Sequence, residues 1–123
     1  MKQLLWVALG GAIGASSRFG VSQLLKPDQL TDFPTHTLVV NIVGCFFIGL
    51  LFVIPIKPSS DIWIKSMVIT GILGGFTTFS AFGLETFIML TQGKIIKAVF
   101  YILISNLAGL LSVYAGYYFS KSV

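Results

Sequence analysis

The chain is poor in charge. Asp, Glu, Lys and Arg make up only 10% of its 123 residues, against about 25% in an ordinary soluble domain. Eight basic and four acidic side chains cannot clothe a water-facing surface, which argues against a soluble enzyme. Histidine and cysteine occur once each, as His36 and Cys45. A lone cysteine forms no intrachain disulfide, and Cys45, set in an apolar run, reads as a small buried hydrophobe. The sequence offers no metal-binding cluster, no phosphate-cradling loop and no hydrolytic triad. The basic residues give a formal charge of +4. They stand singly, without a run or patch, and so leave no nucleic-acid footprint.

What is present is apolar. Hydrophobic residues reach 55% and the mean hydropathy is +0.93. A helix that crosses a bilayer takes about 20 apolar residues, so four would use roughly 80 and leave about 40 for ends and loops. No room remains for a second domain, and residues 1–123 read as one unit. The first apolar run covers residues 4–25 and is interrupted only by Arg18. It continues past residue 17 with no cleavage-site pattern, so it reads as a span and not a cleavable signal. Lys26, Pro27 and Asp28 end it. A loop then passes through Asp32 and Pro34 to His36, which reads as a loop residue. The second run, 37–56, has no charge and is closed by Pro55, Lys57 and Pro58. The third, 63–90, carries Glu85 and a polar, glycine-rich centre. A short turn at 91–94 leads to the fourth run, 98–118, again without charge. Trp6, Trp63, Tyr117 and Tyr118 lie near the run ends, where aromatic belts sit. Such long, continuous runs do not suit barrel strands. The expected fold is an all-α integral membrane protein with four transmembrane helices.

Four spans place both termini on one side. Lys2, Lys57, Lys65 and Lys121 then face Lys26, Lys94 and Lys97, with Arg18 as a fourth if it lies toward the first loop. That is no usable positive-inside bias. Either other features set the orientation, or the chain inserts both ways up and an antiparallel pair becomes possible.

The third run holds the candidate chemistry, in the stretch Gly71-Ile-Leu-Gly-Gly-Phe-Thr-Thr-Phe-Ser-Ala-Phe-Gly-Leu-Glu85. Paired glycines and β-branched threonines weaken a helix there. Broken backbone at membrane depth needs protein or a water-filled cavity to satisfy it, and freed carbonyls can hold a small cation. The competing reading is close helix packing, with hydroxyls bonded back to their own helix. Phe79 and Phe82 share a helix face, and Phe76 would extend the row. Such rows commonly face core or lipid, but positive ring edges can also solvate a small anion weakly. Asn41 lies four residues after Thr37 and serves either as interhelical glue or as an anion donor. Tyr101 and Ser105 repeat that spacing, with Gly109 next. Two ionisable groups fall within spans. Arg18 suits an interface or a vestibule that draws anions. Glu85 suits a proton carrier, a hydrogen-bonded acid or a partner of Arg18.

These residues resemble a known family. Gly10-Gly11-x-x-Gly14-Ala15-x-x-Arg18, the stretch Thr37-Leu-Val-Val-Asn41 followed by Gly44, and Gly71-x-x-Gly74-Gly75-Phe76-Thr77-Thr78-Phe79-Ser80-x-Phe82-x-x-Glu85 are similar to the Fluc fluoride channels, also called CrcB. The match spans essentially the whole chain and is least distinctive in the last run. It implies an antiparallel, dual-topology dimer whose third helix is broken at its centre. It further implies two fluoride pores at the interface and passive fluoride export from a bacterial cell across its plasma membrane. By position, Phe79 and Phe82 would line the pores and Asn41 would be a pore-lining donor. Thr37, Ser80, Tyr101 and Ser105 would form a polar track, and Arg18 would stand at the vestibule. The backbone carbonyls of Gly74 and Thr77 would hold a structural sodium ion. Glu85 matches the family acid, without an assigned role. Ala81 replaces a common threonine and Gly109 an occasional serine, and both thin the track. Because Asn41, Phe79 and Phe82 are all present, a homodimer is favoured over a heterodimer with a paralogue. The other expectations are a proton-coupled small exporter that uses Glu85, and a packing subunit that transports nothing.

Overall fold

The computed structural model describes residues 1–26, 32–55 and 62–122. Pro27, Asp28, Ile56, Lys57 and Pro58, which close the first two apolar runs, lie outside them. The described chain is helical throughout its regular parts. Helix α1 covers Lys2–Leu24, α2 covers Thr35–Phe52, and α3 covers Ile64–Leu73 with one further turn at Gly74–Phe76. Helix α4 covers Phe79–Thr91 and α5 covers Ile95–Ser122. Four stretches are long and apolar enough to cross a membrane: Lys2–Leu24, Thr35–Phe52, Ile64–Thr91 and Ile95–Ser122. The all-helical, four-span expectation therefore holds.

The helix ends differ from the apolar runs for a local reason. Hydropathy marks where the chain is greasy, whereas hydrogen bonding decides where it is helical. Pro34 caps α2 with φ −78°, and a proline at a helix start loses no needed donor. The helix can therefore begin at Thr35, two residues before the apolar run. His36 is thus a residue of the first turn of α2 and not a loop residue. At its other end α5 continues to Ser122 with Lys121 in its last turn, where a cation suits the carbonyl end of a helix. Helix α3 is wound with the wider π pattern over its ten residues, which usually occurs only as single-turn bulges.

Two helix pairs dominate the packing, α1 along α3 and α2 along α5, with α4 laid on α5. Glycines make both pairs close. A Cβ on Gly14 would collide with the Ile72 carbonyl, and one on Gly71 would sit 2.8 Å from Gly10 Cα. In the other pair, a Cβ on Gly49 or Gly116 would strike the backbone carbonyl of Val113 or Phe46. Between helices in lipid there is no hydrophobic drive, so van der Waals approach along small residues has to hold them. The α1 and α2 helices touch little. Lys94 Nζ reaches Asp32 Oδ2 at 2.7 Å and fastens the first loop to the α4–α5 turn. The lysine's hydrogen bond and charge hold the Asp32 carboxyl below the usual carboxylate range.

Few side chains are fully enclosed. Met89, Ala98 and Tyr101 form the buried cluster, with Phe33, Leu38 and Phe82 against it. The accessible surface is 8242 Å², whereas a compact soluble monomer of 13.3 kDa would expose roughly 6,500 Å². Leu4, Phe19, Ile96 and Leu110 are among the many large apolar side chains that point outward. Lipid or another protein must cover them.

The glycine contacts generate a paired test. Gly14→Ala, which meets backbone, should lower stability by about 1–3 kcal/mol, the usual cost of overpacking. Gly11→Ala, whose Cβ would find nothing within 4 Å, should be neutral or slightly stabilising. Thermal unfolding in detergent reads both, and equal melting temperatures would contradict the packing account.

Candidate functional site

The site grows from two threonines. Thr77 (φ −80°, ψ 160°) and Thr78 (φ −152°, ψ 122°) have extended backbone between the Gly74–Phe76 turn and α4. Each threonine finishes one side. The Thr77 amide donates to the Leu73 carbonyl at 3.0 Å, and its hydroxyl donates to the same oxygen at 2.9 Å. The Thr78 hydroxyl accepts from the Ala81 amide at 3.2 Å and caps α4.

Extended residues leave peptide groups without helical partners, and two other helices supply them. Asn41 of α2 faces the Thr78 peptide with both ends of its amide. Thr78 N–H donates to Asn41 Oδ1 at 2.8 Å, and Asn41 Nδ2 donates to Thr78 O at 3.0 Å. Arg18 of α1 donates from Nη1 to Thr77 O at 3.2 Å. The Arg18 guanidinium is therefore turned toward backbone.

A concavity of about 410 Å³ opens beside this clasp. Asn41, Thr77, Phe79, Phe82, Ser105 and Asn106 are among the residues that line it, and none of the described lining residues is Asp, Glu, Lys, Arg or His. Phe79 is 83% exposed. Its ring centroid lies 5.6 Å from that of Phe82, and Phe82 lies 5.2 Å from Tyr101. Asn41 keeps one Nδ2 hydrogen beyond the one given to Thr78. Ser105 Oγ is buried without a hydrogen bond. The sequence reading missed Asn106, whose amide bonds its own helix at Ile102 O, 2.7 Å away. A lone amide next to Ser105 in an otherwise apolar run was the available signal. Phe76 does not extend the aromatic row. The extended threonines break the helical spacing, and Phe76 lies toward Gly44 instead.

A second concavity, about 480 Å³, lies on the other side of Thr78. Arg18, Ser22, His36, Thr37 and Ser80 help to line it. Next to it stands Glu85. Its Oε1 accepts from Thr37 Oγ1 at 2.6 Å and its Oε2 from the Tyr101 hydroxyl at 2.7 Å. His36 Nε2 is 3.3 Å from Oε1. Glu85 is thus a hydrogen-bonded acid, and among the described residues Arg18 is not its partner. The polar side chains expected to form one track are distributed. Thr37 and Tyr101 meet at Glu85, and Ser105 lies on the aromatic side. The Ser80 hydroxyl pairs with that of Thr78 at 3.3 Å and faces the second concavity.

The residues suit a cation held by carbonyls alone. In a continuous helix the Thr78 amide would serve the Gly74 carbonyl, but here it is diverted to Asn41. Gly74 is exposed and lines the first concavity together with Thr77. The Thr77 carbonyl accepts from Arg18 and retains a second lone pair. Among the described residues no group of three His, Cys, Asp or Glu could hold a metal.

Removing the clasp should be costly. Asn41→Leu strands one half-buried donor and one half-buried acceptor and should cost about 2–5 kcal/mol. Asn106→Leu, which loses only a bond within its own helix, should cost much less. Melting temperatures in detergent compare them, and equal losses would show that the clasp is dispensable.

Known proteins give the same assignment. The family model described as "CrcB-like protein, Camphor Resistance (CrcB)" matches residues 5–117. A protein of Helicobacter pylori (strain G27) named "Fluoride-specific ion channel FluC" is 42% identical over 120 residues, which covers 96% of this chain and 92% of the relative. One of the same name from Azobacteroides pseudotrichonymphae is 43% identical over 118 residues, covering 95% and 94%. With a match along nearly its whole length, the chain belongs to the CrcB family.

Proposed function

We propose that the chain is a fluoride channel and not an enzyme, and that it lets fluoride leave the cell passively. One observation carries this reading. The first concavity gathers hydrogen-bond donors with the exposed Phe79 ring and the half-buried Phe82 ring, and among the described residues no charged side chain lines it. Fluoride needs contacts that replace part of its hydration, yet a channel must release it again. The free Asn41 N–H and the positive edges of Phe79 and Phe82 offer such weak contacts. A lysine at that place would trap the ion. Arg18, which lines the second concavity, gives a positive field that raises the local anion concentration. Ser105 adds a hydroxyl on the aromatic side and Ser80 one at the second concavity, while Thr37 and Tyr101 hold the Glu85 carboxyl group. The printed names of the relatives support fluoride as the transported ion.

The working form in this reading is an antiparallel homodimer in a bacterial plasma membrane, with two pores at its interface. The extensive exposed apolar surface and the balanced lysines support it. A single chain leaves the aromatic concavity open on one side, and a second copy would wall it. The interrupted third span is then a central feature, with Gly74 and Thr77 carbonyls from both copies around a structural sodium ion. That ion would supply positive charge to offset nearby anions. Both oxygens of Glu85 are already engaged, which suits a fixed acid better than a proton carrier.

Purified protein reconstituted in liposomes should release fluoride, and not chloride, when a potassium ionophore sets the potential. No fluoride release above protein-free vesicles would sink the proposal. Phe79→Ile and Phe82→Ile should each lower the flux by about tenfold, equivalent to about 1.4 kcal/mol in barrier, while the dimer still elutes as a dimer. Wild-type rates in both would remove the aromatic pair from the path.

A further inference from the structure

We propose that His36 governs the charge of the Glu85 cluster and thereby makes anion passage depend on pH. The inference rests on the channel reading above. His36 is the sole histidine of the chain. It sits in the first turn of α2, lines the second concavity, and places Nε2 3.3 Å from Glu85 Oε1. Its Nδ1 is buried and has no hydrogen-bond partner. The histidine and glutamate side chains are 23% and 19% exposed, so the pair is partly shielded from solvent screening.

The groups around the imidazole come from four helices. Thr37, next to it on α2, donates to the same carboxylate oxygen. Glu85 comes from α4. Tyr101 of α5 donates to the other oxygen. Arg18 of α1 lines the same concavity. Glu85 touches the imidazole, Arg18 shares its concavity, and Tyr101 is linked to it through the Glu85 carboxyl group.

With a neutral imidazole, no cationic ring stands against the Glu85 carboxyl oxygens, and an approaching anion meets them without that compensation. Histidine changes charge between about pH 5 and 8. Once it is protonated, both ring nitrogens carry N–H. The Nε2–Glu85 contact then becomes an ion pair, and the local charge rises by one unit. Together with Arg18 this makes the concavity more attractive to an anion. Passage should therefore rise as pH falls. His36 acts here through Glu85, as a positioning residue.

The test is fluoride efflux from liposomes at equal pH on both sides, at pH 8 and at pH 5.5. Protein-free vesicles are subtracted to remove leak of undissociated hydrogen fluoride. Wild-type flux should rise roughly three- to tenfold at the lower pH. His36→Gln should give the same flux at both values. His36→Lys, which holds a permanent charge at that place, should also be flat, but at a level above His36→Gln. If the Gln variant fails to elute as folded protein, the wild-type rise and the flat Lys profile still decide the matter. A flat wild-type profile, or a rise that survives in either variant, would overturn the role of His36. Fluoride flux that is absent at every pH would sink the channel reading itself, a result distinct from flux that is present but insensitive to pH.

Discussion

Everything distinctive in this fold depends on one side chain reading one peptide group. Thr78 leaves helical geometry within a stretch long enough to cross a bilayer, where an unpaired N–H or C=O costs several kcal/mol. Asn41 offers a carbonyl to the N–H and an amine to the C=O, at 2.8 and 3.0 Å. The pairing imitates a neighbouring backbone. An aspartate could accept but not donate, and a hydroxyl is too short to do both at that separation. The amide thereby lets two residues run extended between the Phe76 turn and α4. Phe79 can then stand at the start of a new helix, and Arg18 finds a carbonyl to hold.

The packing gives this clasp its setting. Glycines draw α1 against α3 and α2 against α5 until backbones touch. Each pair is tight, while α1 and α2 barely meet. The Asn41–Thr78 clasp therefore carries much of the joint between the pairs, while Arg18 with Thr77 ties α1 to the end of α3 and Thr37 with Glu85 ties α2 to α4. A joint made of a few hydrogen bonds cannot close like a leucine-filled seam. The two concavities are the space left on either side of it. Small residues along the pairs and polar residues between them thus do opposite jobs, one removing space and the other keeping it.

Much of this was legible in the sequence because its physics is local. Four charge-poor runs imply four spanning helices, and the glycines and threonines at 74–78 marked where the third would leave helical geometry. Asn41 and Glu85 were conspicuous as polar groups in greasy surroundings. What pairs with them was not legible, since helix spacing says which side chains share a face and nothing about what lies opposite. Glu85 was open to Arg18 on charge alone, yet the fold gives it Thr37, Tyr101 and His36. His36 looked like a loop residue because helix α2 starts ahead of its apolar run. Phe76 looked like part of an aromatic row because the spacing assumed a continuous helix. Ser80 and Phe79 are adjacent in sequence, and at the first turn of α4 they face different concavities.

The start of α4 carries a further consequence. Peptide dipoles in a helix add up to about half a positive charge at its amino end. A helix that begins at Phe79, near the middle of the Ile64–Thr91 stretch, delivers that partial charge deep inside the hydrocarbon zone. The partial charge adds to that of the Arg18 guanidinium, which reaches the Thr77 carbonyl just ahead of this helix start.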